Sequence, residues 1–256
     1  CLKLKKDFIM TMTEVYEAKI ANSETTFDNE TKLWPFVNLW VRCFSLYNYY
    51  PKNRFSDNEL DPLSKYVRER IWDFKAAEFT TEASRRLASE FFIDKVEEVL
   101  KYFFKDRLSE LTLFCIPASS KSVNQRRYGQ FSRDLCARTG MTNAFEAVDI
   151  VQDGAPKHLH ADGKSTQARI QLDANLINGK NIILFDDVVT KGNNMKAYFG
   201  FLTSNYNCKV LGGITLGRTE HEYHKTHPIE DILGTEEKPQ TENKSIMDFF
   251  KDIYRC

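Results

Sequence analysis

Apolar positions recur along the chain with several periods. Between residues 83 and 108, Phe91, Phe92, Val96, Val99, Leu100, Phe103, Phe104 and Leu108 return every three or four positions, which is the stripe of an amphipathic helix. Residues 63–77 carry Tyr66, Val67, Ile71 and Phe74 and predict a second helix. Residues 33–50 are rich in aromatic side chains, which dominate buried area and are assigned to the core. Residues 1–108 are therefore read as an aromatic-rich helical N-terminal region packed on the core.

From residue 109 to 219 the texture changes to short apolar runs separated by helical and loop segments. LTLFCI at 111–116 stops at Pro117 and reads as a buried strand. Residues 128–139 predict a helix stopped by Gly140, and 145–151 another strand. Residues 181–185 predict a strand, 186–192 a loop and 193–204 a helix. KVLGGITL at 209–216 closes the pattern as a strand. This alternation predicts an α/β fold with a parallel sheet, whose ligands bind beyond the carboxyl ends of its strands. From residue 220 to 256 the chain is a polar, partly disordered tail, with 235–245 reading as a linker and 246–254 as a short amphipathic helix.

Composition adds mainly exclusions. The 256 residues contain 36 basic and 36 acidic side chains, so no global field favours nucleic acid or a membrane. No apolar run approaches the roughly 20 residues that span a bilayer, and a cytoplasmic protein is expected. The six cysteines form no CxxC pair. Cys115 and Cys136 fall in apolar runs and read as buried free thiols of a reducing compartment. Cys1 as first residue suggests a fragment or a processed form.

The candidate chemistry lies at 182–195, IILFDDVVTKGNNM. An apolar strand delivers Asp186 and Asp187, and Thr190, Lys191, Gly192, Asn193 and Asn194 open a helix. A helix N-terminus presents unpaired N–H groups and partial positive charge to a phosphate. Gly192 permits close backbone approach, while Lys191, Thr190 and the two asparagines add charge and hydrogen bonds. Adjacent carboxylates point to different faces and make a poor acid/base pair; they suit the vicinal diol of a ribose. The bland alternative is a strand–turn–helix corner with two solvated aspartates. A second stretch, PASSKSVNQRRYGQFSR at 117–133, holds Lys121, Arg126, Arg127 and Arg133 without an acid. With Ser119 and Ser120 it is a candidate pyrophosphate loop, or simply an exposed basic loop.

The 182–195 stretch resembles the phosphoribosyl-pyrophosphate (PRPP) motif of type I phosphoribosyltransferases: four apolar residues, two acids, two apolar residues, then T-T-G or T-A-G and a hydroxyl. Lys191 and Asn194 depart from it. Thr190 stands where transferases for 6-oxopurines carry an Asp, which disfavours that chemistry. Residues 115–138 are similar to the ComF family of competence-associated phosphoribosyltransferase-like proteins, with Arg126, Tyr128 and Gln130 matching and Arg127 and Gly129 departing. KSTQ at 164–167, TLGRT at 215–219 and IWDFK at 71–75 are also similar, while the paired cysteines of that family's zinc ribbon are missing. The resemblance spans about 47–219. It implies a type I phosphoribosyltransferase core at 109–219 that binds PRPP with Mg²⁺. Its implied assignments put the 5-phosphate on Thr190–Asn194, the ribose diol on Asp186 and Asp187 with the metal reached through the ribose, and the pyrophosphate on Ser119, Ser120, Lys121, Arg126 and Arg127. Transfer of the phosphoribosyl group to an unidentified acceptor would follow, with nucleobase salvage as one alternative and a non-catalytic PRPP-sensing module linked to DNA uptake or processing as another. A homodimer and a protein or nucleic-acid partner are compatible with it. Residues 152–170 are a candidate lid. The histidines at 158, 160, 221, 224 and 227 offer weak metal-ligand spacing.

Overall fold

The computed structural model describes residues 43–75, 80–154, 168–226 and 228–229. The N-terminal 42 residues, the centre of the candidate lid with His158 and His160, His227, and the expected linker and terminal helix lie outside them. Five parallel strands, β1 (Cys43–Tyr49), β2 (Leu111–Cys115), β3 (Thr142–Asn143), β6 (Asn181–Val189) and β7 (Lys209–Thr219), form the main sheet in the order β1-β7-β6-β2-β3. An α/β class with a parallel sheet is thus observed. β4 (Val148–Gln152) and β5 (Arg169–Leu172) form a separate antiparallel pair.

Two expectations about strands need correction. Cys43–Tyr49, placed in a helical N-terminal region, is an edge strand paired in register with Gly213–Thr219. Its aromatic and apolar side chains line the sheet, with Phe44, Leu46 and Tyr47 buried, and aromatics suit a pleated, half-buried surface as well as a helix face. The second concerns 145–151: the residues beside β2 in the main sheet are Thr142 and Asn143, while 148–152 leave the sheet to pair with β5. A two-residue strand carries no periodicity to read.

Helices cover the sheet. α1 (Pro62–Phe74) starts at Asp61, whose carboxylate accepts from the backbone N–H of Leu63 and Ser64, with Pro62 at the first position where its missing N–H costs nothing. α2 (Glu82–Phe104) is capped by Thr81. A short α3 (Lys121–Asn124) passes through a π-helical turn (Gln125–Gly129) into α4 (Gln130–Thr139). Gly140, left-handed at φ 73°, ends α4 as expected. α5 (Asn193–Asn205) follows β6.

The core under α1, α2 and α4 is aromatic. Phe185 on β6 stacks on Phe131 at 4.6 Å and meets Phe74 and Tyr128 edge-on. Burying such a group removes several hundred Å² of apolar surface from water, on the order of several kcal/mol. A smaller cluster under α5 includes Phe114, Ile182, Leu184 and Leu202. Cys43, Cys115 and Cys136 are buried free thiols, and burial pushes the Cys136 thiol up to about 12. The start of the expected tail is tied down: Thr226 is buried against Ser64, hydroxyl to hydroxyl at 2.6 Å, and Tyr223 donates to Asp61 at 2.9 Å. Among the described residues no helix is long and apolar enough to cross a membrane.

Candidate functional site

β2 and β6 are neighbours, and Ile116 N–H donates to the Phe185 carbonyl at 2.8 Å. The segments that leave these strands therefore start from the same edge of the sheet, as the sequence predicts for the two candidate loops. The aspartates, however, are still in the strand. β6 continues through Val189, with Asp186 opposite Thr215 and Val188 opposite Gly217. β7 reaches Thr219 and so offers a partner throughout, and Val188 and Val189 favour extended backbone. The loop predicted from residue 186 begins only at Thr190.

This placement buries both carboxyls, Asp186 to 7% exposure and Asp187 to 4%. Asp186 Oδ1 accepts from the Tyr128 hydroxyl (3.2 Å) and from Asp187 N–H (2.8 Å). Burial, reinforced by the Asp187 charge and opposed by Asp187 N–H, Lys75 and Arg127, pushes Asp186 up to about 7. Asp187 Oδ1 accepts from Val188 N–H at 2.6 Å and lies 3.7 Å from Lys75 Nζ. Its Oδ2 is 2.6 Å from Arg127 Nη1. That contact is close in distance yet unaligned for a hydrogen bond, since Asp187 Oδ2 and Arg127 Nε are both buried without a hydrogen-bond partner. Arg127 Nη2 also donates to the Lys75 carbonyl at 3.2 Å. Burial lowers the Arg127 pKa, but the charges of Asp187 and its neighbours more than offset it and leave the guanidinium firmly charged.

Thr190, Lys191, Asn193 and Asn194 are exposed around a buried Gly192. Gly192 is left-handed at φ 71° and caps α5 with no side chain on the helix's first amides. Among the described residues no side chain takes up the backbone donors of that turn, which is the condition an anion site needs. The Thr190 hydroxyl is engaged with that of Thr219 at 2.8 Å.

The segment after β2 is more engaged than its composition suggests. Ser120 caps α3 by accepting from Val123 N–H. The Ser119 carbonyl accepts from Gly154 N–H at 2.7 Å. Lys121 donates from its backbone N–H to Asp153 (3.0 Å) and from Nζ to Asp149 (2.9 Å). The β4–β5 hairpin, whose strands flank the candidate lid, thus docks on this loop. The pyrophosphate set is therefore brought together only in part: Ser119, Ser120 and Lys121 line up after β2, Arg127 turns to Asp187, and Arg126 lies in a cleft with Arg85 and Glu90.

Lys75, Tyr128, Asp149 and Asp153 contribute contacts that the motifs leave unassigned. Lys75 ends IWDFK, Asp149 precedes the candidate lid and Asp153 lies at its start; charge complementarity to the acid-free 117–133 segment is the available signal. Among the described residues no three His, Cys, Asp or Glu side chains converge as metal ligands. His221 Nδ1 instead contacts the Arg54 guanidinium. Oδ1 of Asp186 and Oδ1 of Asp187 already accept from Tyr128 and backbone N–H groups, and the Arg127 guanidinium lies against Asp187 Oδ2. No protein-family profile matches the chain, and no curated protein matches it significantly.

Proposed function

We propose that the chain binds PRPP at the carboxyl edge of β6 and β2, in the manner of type I phosphoribosyltransferases and closest to the ComF-like group. The observation that carries this reading is the unit formed by the end of β6, left-handed Gly192 and the uncapped start of α5. The amides of that turn receive the 5-phosphate, with Lys191, Asn193 and Asn194 around it. Asp187, and Asp186 behind it, accept from the ribose hydroxyls. Ser119, Ser120 and Lys121 receive the pyrophosphate. Mg²⁺ would enter with the ligand and would offset phosphate charge there, with Asp186 and Asp187 facing it through the ribose. In transfer, an acceptor's lone pair bonds to the anomeric carbon as the bond to pyrophosphate breaks, and the loop donors stabilise the departing charge.

The contact of Arg127 with Asp187 favours a second reading on the same ligand, a PRPP-responsive interaction module without transfer. A buried carboxylate already paired must exchange partners before it can take a diol. Titration calorimetry with PRPP and Mg²⁺ tests the common element. Binding is expected for the wild type and weakening of at least tenfold for Gly192→Ala, because a Cβ disfavours φ near +70°. No heat with the wild type overturns the proposal. Pyrophosphate release with one member of a panel of nucleobases and amines selects the transferase, and binding without release in the whole panel selects the module.

A further inference from the structure

A cleft of about 530 Å³ opens between the end of α1, the first turns of α2 and the π-turn leading into α4. That volume falls within the range of small-molecule sites. Phe74 and Phe131, 5.0 Å apart and edge to face, contribute apolar lining. Of its charged lining, Arg85 pairs with Glu82 and Arg86 with Glu90. Asp134 accepts from the Gln130 amide at 2.6 Å. Arg126 has no partner among the described residues, and Arg127 is shared between the cleft and Asp187. Two buried polar atoms of the lining residues, Ser89 Oγ and Arg127 Nε, have no hydrogen-bond partner. Both lie beneath the cleft surface, and Arg127 Nε becomes available only if its guanidinium turns from Asp187.

We infer that this cleft is a binding site for a small organic oxyanion, a carboxylate or phosphate monoester on an apolar body, and that its occupant competes with Asp187 for Arg127. Arg126, exposed at the cleft, supplies a guanidinium fork of the geometry that oxyanions accept, and Arg127 supplies a second when it turns from Asp187. Phe74 and Phe131 supply apolar contact. Glu82, Glu90 and Asp134 repel a polyanion, which selects a small ligand over a nucleic-acid backbone.

The link to Asp187 comes from where Arg127 sits. It lies on a π-turn, a local excess of one residue that recurs at functional sites. Within the turn, the side-chain amide of Gln125 lies over Gly129. An anion that draws the guanidinium into the cleft loosens its hold on Asp187. By linkage, removing the Asp187 charge strengthens the anion's hold on Arg127 by the same route. The site stands on the cleft alone and does not require PRPP to bind.

The test is titration of the full chain with benzoate and with phenyl phosphate, followed by the arginine Nε–Hε and backbone amide resonances. Shifts at Arg126, Arg127 and Ser89 are expected with at least one probe, and whichever binds more tightly identifies the oxyanion. Arg126→Gln, an exposed position, should weaken binding at least fivefold with an unchanged circular-dichroism spectrum. Asp187→Asn should tighten it severalfold. Shifts confined to the Asn193 and Asn194 amides, unchanged affinity in Arg126→Gln, or no shift with either probe overturn the inference. Anion binding here in a protein that ignores PRPP sustains the inference while the PRPP reading fails.

Discussion

Two segments leave the same edge of the sheet, and they prepare for an anion in opposite ways. After β6, the donors are backbone amides: Gly192 turns left-handed, no side chain caps α5, and the surrounding Lys191, Asn193 and Asn194 stay exposed. After β2, the groups on offer are side chains, and most of them, Arg126 excepted, already have protein partners among the described residues. Lys121 is held by Asp149 and Asp153, Ser120 by the α3 cap, and Arg127 by Asp187. A ligand meets the first segment with little to break, since fixed amides need no reorganisation. At the second it must displace protein partners, so part of its binding energy goes into exchange. Affinity is therefore expected to come mainly from the α5 end, and discrimination from the β2 side.

The contrast rests most heavily on Arg127 and is tested by removing it. Arg127→Met leaves Asp187 buried with Lys75 Nζ at 3.7 Å as the one remaining cationic neighbour among the described residues. Breaking one side of a buried pair costs about 3–5 kcal/mol, and a loss near the lower figure is expected from urea denaturation because the arginine side chain is 17% exposed. Combining it with Asp187→Asn should recover most of that loss. A loss within about 0.5 kcal/mol, the range of ordinary surface substitutions, would mean that the β2 side is as uncommitted as the α5 end, and the contrast would collapse.

How far the sequence reveals this arrangement depends on the range of each signal. The strand–helix alternation, the Gly140 stop and the Gly192 turn are local and readable, because apolar period and glycine position act within a few residues. The loop before α5 is legible for that reason. The pairing of β1 with β7 joins Phe44 to Ile214, a contact between distant segments for which neither leaves a local mark. The same holds for Arg127. An acid-free run of basic residues looks vacant in sequence, yet its partners Asp149, Asp153 and Asp187 arrive from elsewhere in the chain. The continuation of β6 through Val189 is hidden because DD resembles a loop opening, whereas the β7 ladder keeps those residues extended.

A second test sharpens the contrast through Asp186. Its carboxyl is raised to about 7 in the fold, by burial first and by the Asp187 charge next. In the unfolded chain an aspartate titrates near 3.9. Between those values the folded state holds the proton that the unfolded state has lost. Stability therefore declines as pH rises from about 4 to 7 and levels off above. Asp186→Asn removes this dependence. It should stabilise the protein by roughly 1–2 kcal/mol at pH 8 and change little at pH 4, a fraction of the roughly 4 kcal/mol that a separation of about three pH units represents. Thermal unfolding across that range reads the difference, and a parallel pH profile in both proteins would remove Asp186 from the account.

The smallest effect on stability is expected at Lys121, where the two segments differ in function more than in folding. Its side chain is 75% exposed and its partner Asp149 58%, so screening by water leaves the pair with little net stabilisation. Lys121→Ala should leave the urea midpoint unchanged. The backbone bond from Lys121 N–H to Asp153 survives the substitution, which keeps the β4–β5 hairpin docked. PRPP affinity should fall severalfold, less than for Gly192→Ala, because one exchangeable side chain is lost while the fixed amides of α5 remain. Equal losses in the two variants would show that the β2 segment carries as much of the anion as the α5 turn. An unaltered affinity in Lys121→Ala would instead confine phosphate recognition to the backbone of α5 and leave Lys121 as a strap for the hairpin.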